Sequence, residues 1–339
     1  MTSVAELHRD SLVCNLHDDW SIEVHKLFIA GERGALERTY LDRLRRGGVD
    51  FTFYTVGGDD IMFTQDPELL LGTLRAVDAA REEIDASDAF RLCLSAADMV
   101  AAKAAGQVGL MLTIEGAAPL REDLAILRNL YRLGLRSVIL TWFKANPSAD
   151  GVGEARNGGL SEFGRELVTE MNRLGMLIDV SQTSPASFDD TLDVSTHPVV
   201  ASHSNCSGVY DHRRNLTDAQ LKRLAEGGGL IGITCYPAHV GEGAVDLDAL
   251  VRHVDHAVDV AGIEHVAIGL NLVVHTADEA VEFYERSNIE YSSFHMPGLE
   301  DVDRMPALTE KLVGSGYDDD QVRAILGGNL LRVIGEVVG

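Results

Sequence analysis

Short apolar runs alternate along this chain with longer stretches in which apolar residues recur at every third or fourth position. The runs are Leu12–Leu16, Phe51–Val56, Val108–Ile114, Ser137–Thr141, Met176–Val180, Pro198–Ser202, Leu230–Thr234 and Val266–Leu270. A continuous apolar run of this length reads as a strand buried on both faces, whereas a three-to-four spacing reads as a helix with one buried stripe. The clearest helical stretches are Asp66–Ala86, Arg121–Leu133, Glu162–Leu174, Asp218–Glu226 and Leu247–Ala261. Strand then helix, repeated around eight strands, predicts an α/β fold: a parallel (β/α)8 barrel of the TIM type, with working side chains on the loops that follow the strands.

No long Pro-, Gly- or Ser-rich linker interrupts this order, so residues 1–339 are expected to form one barrel domain. The stretch from Asp318 to Val338 reads as a closing helix whose acidic start suits the helix dipole, although Gly327-Gly328 weakens its middle. The segment 272–297 is a long insertion carrying Phe283, Tyr284, Tyr291 and Phe294, a candidate lid over the working face; packing against the barrel rim is the alternative.

Charge narrows the partners. A formal net charge of −24 with no basic stripe argues against nucleic acid and anionic membranes. The N-terminal residues show neither a basic nor an apolar leader, and no apolar run reaches the ~20 residues that span a bilayer, so a cytoplasmic protein is expected. Cys14, Cys93, Cys206 and Cys235 lack Cys-x-x-Cys spacing and read as reduced thiols. A homodimer is the default oligomer for such a soluble protein.

Chemistry gathers at the ends of the predicted strands. His17 and Asp19 follow the first run at i and i+2, so in extended chain both point the same way, and His with carboxylate suits Zn²⁺ or a similar ion. Glu115 follows the third run and His203 follows the sixth. Each alone has a bland reading, a capped strand end or a hydrogen-bonded core histidine. Three strand ends carrying metal-ligating side chains together point to a metal centre at the barrel mouth.

Three longer motifs make the reading specific. They are Gly159-Leu-Ser-Glu-Phe-Gly-Arg-Glu-Leu running on to Leu177-Ile-Asp-Val-Ser, then Ala201-Ser-His-Ser, then Asp211-His-Arg-Arg-Asn-Leu-Thr-Asp. With His17-Asp18-Asp19 near one end and Gly328-Asn-Leu-Leu-Arg-Val near the other, nearly the whole chain resembles the membrane (renal) dipeptidase family of metallopeptidases. That resemblance implies a barrel of the metal-dependent amidohydrolase type, with two zinc ions and a water that attacks a dipeptide amide. By the same resemblance His17 and Asp19 hold one ion, Glu115 bridges, and His203 serves the second. Arg214 matches the arginine that receives the substrate's carboxylate, and Tyr236 a tyrosine of the pocket.

Three positions depart from the family pattern. Gln182 stands where the resemblance implies a second-ion histidine, and a neutral amide is a weak or absent zinc ligand, which leaves one ion or two open. Trp142 replaces a histidine that helps to stabilise the oxyanion, and Asn271 replaces an aspartate that engages the substrate amine and cannot take a proton as that aspartate does. Glu115, Asn271 and Trp142 are thus the candidate catalytic positions, with Arg214, Tyr236, Trp142 and Asn271 lining the substrate site. The expected activity is hydrolysis of a small amide-like substrate that carries a carboxylate and lacks a free α-amine, with ordinary dipeptides as poor substrates. Two alternatives are a single-metal enzyme of another reaction class and a catalytically silent binding protein.

Overall fold

The computed structural model describes residues 3–272 and 295–339. Its parallel strands are β1 (Cys14–Asn15), β2 (Phe51–Gly58), β3 (Phe90–Leu92), β4 (Val108–Glu115), β5 (Leu135–Ile139), β6 (Leu177–Asp179), β7 (Val199–Ser204), β8 (Leu230–Ile233) and β9 (Val266–Ile268). Eight of them follow in the order β1-β2-β4-β5-β6-β7-β8-β9, and each matches one of the expected runs. Backbone bonds from Leu16 N to Ile268 O (3.0 Å) and from Asn271 N to His17 O (2.8 Å) join the last strand to the first. The fold is a parallel (β/α)8 barrel.

Strand β3 is an addition that the apolar pattern does not predict. It pairs with Val108–Leu110 at the start of β4, while β5 pairs with the same strand from Leu112 onward, so β3 lies off the ring. Helix boundaries follow local capping. The stretch expected to begin at Arg121 becomes helical only at Leu124, because Arg121 and Glu122 take positive φ (52° and 56°) and the Asp123 carboxylate caps the first turn through Ala125 N. The helix expected from Asp66 begins at Leu69, since Asp66 instead accepts from Glu68 N (2.9 Å) in a turn. Helices Glu162–Leu174, Asp218–Glu226 and Leu247–Ala261 occupy the expected residues.

The closing helix is interrupted. Asp319–Arg323 and Asn329–Val337 are helical, and between them a wide turn over Ala324–Gly328 departs from helical geometry at Gly327. A Cβ on Gly327 would stand 2.2 Å from Leu12 O and 2.8 Å from Cys14 Sγ, so close approach to β1 requires glycine here. Gly327→Ala is expected to cost roughly 1–3 kcal/mol, the range for overpacking, read as a lowered midpoint in chemical denaturation. Beyond the turn, Leu330, Val333 and Ile334 pack with Cys14, Phe51, Leu177, Val200 and Leu230, residues at or near the N-terminal starts of the strands. One end of the barrel is thereby filled with apolar side chains, and the opposite end carries the polar ones. The four cysteines are buried and unpaired. Among the described residues no helix is long and apolar enough to cross a membrane. The aromatic residues Phe283, Tyr284, Tyr291 and Phe294 of the candidate lid lie outside the described residues.

Candidate metal centre

The C-terminal ends of β1, β4 and β7 bring His17, Glu115 and His203 together, with one ligand atom from each within 4.8 Å of the others and all three side chains buried. The two imidazoles stack at 3.9 Å between centroids. Nε2 of His17 lies 3.4 Å from Glu115 Oε2 and 3.6 Å from Asp19 Oδ1. Burial alone would lower the His17 pKa, but the Glu115 and Asp19 carboxylates outweigh it and hold the imidazole well above its ordinary value. Glu115 is itself raised by burial, against the opposing pull of His17.

The two halves of this cluster differ. In the half made by His17, Asp19 and Glu115, four buried atoms have no hydrogen-bond partner: both ring nitrogens of His17, Asp19 Oδ1 and Glu115 Oε2. Buried polar atoms are almost always satisfied, so a converging set of unsatisfied nitrogen and carboxylate donors fits a cation. In the other half, the Gln182 amide nitrogen donates to Glu115 Oε1 and lies 3.1 Å from His203 Nε2. His203 pairs its Nδ1 with Ser202 Oγ at 2.9 Å, which is consistent with the Nδ1–H tautomer and an Nε2 lone pair directed at the amide. Burial, His17 and Arg214 hold His203 well below the usual imidazole range, so it is neutral and suited to accept. Hydrogen bonds therefore satisfy here what a second ion would otherwise satisfy.

Neighbouring loops fix these groups. Asp179 Oδ1, at the end of β6, accepts from Ser181 N (2.8 Å) and Ser202 N (3.1 Å), tying the loops that carry Gln182 and His203. Asp18 is pinned by Asn15 Nδ2, Trp20 Nε1 and Leu272 N, and burial pushes its pKa up to about 8. It braces the seam between first and last strands and leaves Asp19 to face the opening. After β2, Asp59 accepts from Ala118 N (2.8 Å), Trp142 N (3.0 Å) and Asn146 Nδ2, and burial raises it to about 6. A Cβ on Gly116 would stand 2.0 Å from that carboxyl carbon, so Asp59 fits only because glycine follows Glu115. Phe143, Gln182 and Asn271 adopt positive φ (59°, 68° and 56°), a strained backbone for Phe and Gln that sharpens the turns leaving their strands.

Above the cluster an open cleft, about 670 Å³ with the solvent at its mouth included, is lined by Asp19, Glu115, Trp142, Gln182, Arg214, Tyr236 and Asn271, among others. Every predicted site residue except His17 and His203 borders it, and those two lie beneath. Trp142 meets Phe63 edge to face at 5.8 Å. The guanidinium of Arg214 is buried, donates to His203 O (3.2 Å), and is lowered to about 10 chiefly by that burial. Met62, Phe143, His212, Arg213, Ala238 and His239 also line the cleft, and sequence reasoning assigned none of them. Asp59, which holds the Trp142 backbone N–H, and Asn146, which donates to Asp59, were equally unmarked; the only signal was the acidic pair Asp59-Asp60 just after a strand.

A closed parallel barrel with histidine and carboxylate donors converging at its C-terminal mouth defines a metal-dependent hydrolase fold. A family model described as membrane dipeptidase (peptidase family M19) matches residues 1–280 and 288–338. Dipeptidase verJ of Clonostachys rogersoniana is 30% identical over 313 residues, covering 89% of this chain and 76% of that protein. Dipeptidase 3 of Mus musculus is 30% identical over 344 residues, covering 98% of this chain and 65% of its own length. The chain thus spans only part of these curated relatives. Among solved structures, an amidohydrolase from Pseudomonas aeruginosa superposes with a TM-score of 0.85 at 26% identity, covering 99% of both chains. A metallopeptidase described as dipeptidase AC gives 0.83 at 25% identity, covering 96% of this chain and 98% of that one. The chain belongs to the membrane dipeptidase family, and as a member of it is a metallohydrolase.

Proposed function

We propose that this protein hydrolyses a small amide that carries a carboxylate and lacks a free α-amine, an N-acyl amino acid in type, with a single zinc ion. The carrying observation is the asymmetry of the donor cluster: unpartnered donors of His17, Asp19 and Glu115 on one side, and the Gln182 amide between Glu115 and His203 on the other. His17, Asp19 and Glu115 would hold the ion, which when bound supplies Lewis-acid activation of the amide carbonyl and of the attacking water.

The remaining roles fall to the chain itself. Arg214, buried without a carboxylate partner among the described residues, receives the substrate's carboxylate and fixes the amide's leaving half. Glu115 would turn Oε2 to the ion while Gln182 holds Oε1, which fixes the carboxylate plane at the floor of the cleft. Asn271 offers a neutral amide where a charged α-ammonium would need a carboxylate, so a blocked nitrogen suits that end of the cleft. Trp142, backed by Phe63, walls the acyl half with aromatic surface. The protein is proposed to act in the cytoplasm on a freely diffusing small molecule, as a homodimer.

Metal analysis and a substrate panel test this together. Protein purified without chelator is expected to carry one equivalent of zinc, and N-acyl amino acids to be turned over at least ~10²-fold faster than the matching free-amine dipeptides. Two tightly held equivalents with ordinary dipeptide turnover would make the protein a conventional dipeptidase. Absence of both metal uptake and hydrolysis would remove the enzymatic reading.

A further inference from the structure

Resting on that reading of Arg214, we propose that Arg213 forms a second anion subsite, so that the preferred substrate carries two acidic groups on its leaving half, as an N-acyl derivative of an acidic amino acid does. Arg213 and Arg214 are adjacent in the chain and both line the catalytic cleft. Both also line an adjoining chamber bordered by Ser204, Asn215 and Thr217, and together with Gln182 and His212 they stand between the two spaces. Arg214 is buried and Arg213 is exposed, which places one cation deep and one at the mouth.

Two features make Arg213 more than a solvated surface charge. Its guanidinium carbon lies 4.5 Å from the centroid of the Phe143 ring, a stacking that keeps the planar head beside the cleft while its edge donors stay available to an anion. Secondly, neither arginine forms an ion pair with a carboxylate among the described residues, although the chain holds 53 acidic against 29 basic side chains and pairs Arg128, Arg156, Arg173 and Arg223 with acids. Asp211, close by in sequence and bordering the adjoining chamber, pairs with neither. Ser204, buried in the lining of the same chamber, has a hydroxyl with no hydrogen-bond partner, an unsatisfied donor in that space. Asp19 and Glu115 are the acids that line the catalytic cleft, and both belong to the proposed metal donors. The opposite corner is neutral at Asn271. A substrate with a second carboxylate meets two cations that form no close ion pair among the described residues: Glu115 and Asp179 act on Arg214 only through space, and Asp211 borders the adjoining chamber and not the catalytic cleft.

Zinc-loaded protein and a pair of non-hydrolysable probes test this by calorimetry: N-methanesulfonyl-glutamate and N-methanesulfonyl-glutamine, in both enantiomers, which differ only in the second charge. The diacid is expected to bind about tenfold more tightly, with a preference that shrinks as salt is raised. Arg213→Gln is expected to abolish the preference by weakening the diacid to the level of the amide, with amide binding unchanged, and Arg213→Lys to restore part of it. Equal affinity for both probes, a preference that survives in Arg213→Gln, or no diacid binding would overturn the proposal. Because binding is read without turnover, these outcomes are separable from failure of the hydrolytic reading. A diacid-selective protein that hydrolyses nothing leaves the subsite standing, while a hydrolase indifferent to the second charge removes the subsite alone.

Discussion

Changing Gln182 to histidine and Asn271 to aspartate together is expected to raise bound zinc from one equivalent to two while leaving dipeptides almost uncleaved. The amide that ties Glu115 to His203 disappears in such a variant, freeing Glu115 Oε1 and His203 Nε2 and adding an imidazole at the same loop position. The backbone at 182 has φ of 68°, a conformation histidine tolerates better than glutamine, so the change should not strain the turn. Metal gain alone does not supply the oxyanion donor, because Trp142 still stands in the cleft, and a missing donor of that kind costs ~10²–10³ in rate. Adding Trp142→His is expected to raise dipeptide turnover by a factor of that order. Metal analysis by mass spectrometry and dipeptide kinetics on the double and triple variants check both steps. Rapid dipeptide cleavage by the double variant would show that Trp142 is no obstacle.

Zinc is expected to stabilise metal-free protein by about 4 kcal/mol when present at a thousand times its dissociation constant, the shift any single-site ligand of the native state produces. The shift should vanish in His17→Ala. Its pH dependence has a definite sign. In metal-free protein the carboxylates of Glu115 and Asp19 overcome burial and hold His17 protonated above the ordinary imidazole value of 6.5, so zinc must displace a proton and binds less well as pH falls. The same raised pKa gives metal-free protein a stabilising contribution that is fully present below about 6.5 and is lost as pH rises through the folded-state value. Raising the pH is therefore expected to lose this stability without zinc and to strengthen the zinc-dependent gain. Thermal unfolding of wild type and His17→Ala at several pH values, with and without metal, measures both. A zinc shift that grows on acidification would contradict the assignment of His17.

The barrel was legible because its signal is periodic: eight apolar runs survive as ring strands even where their ends move by a few residues. What periodicity does not encode went unread. Strand β3 is three residues long, and the late start of the helix after β4 depends on left-handed backbone at Arg121 and Glu122. The proposed donors His17, Asp19, Glu115 and His203 stood out because they fall together at the ends of three apolar runs, although each alone is unremarkable. Asp59 did not, since its importance lies in three N–H groups brought to it by loops that follow other strands. Nor did Arg213, beside a more conspicuous arginine, because only folding lays it on Phe143. The direction of the Gln182 amide is likewise a product of tertiary packing.

The seam between β1 and β9 gives the proposed metal donors a place in the order of assembly. His17 carbonyl accepts from Asn271 N, and Asp18 holds Leu272 N, so the segment bearing His17 and Asp19 is locked only when the last strand docks on the first. These partners lie about 250 residues apart, among the costliest loops for a folding chain to close. A nascent chain emerging from the ribosome can pair β1 with β2, β2 with β4 and each later neighbour in turn, but one side of the His17–Asp19 corner stays open until synthesis has passed residue 272. Ion capture would then act as a completion check, made only by molecules whose ring has shut.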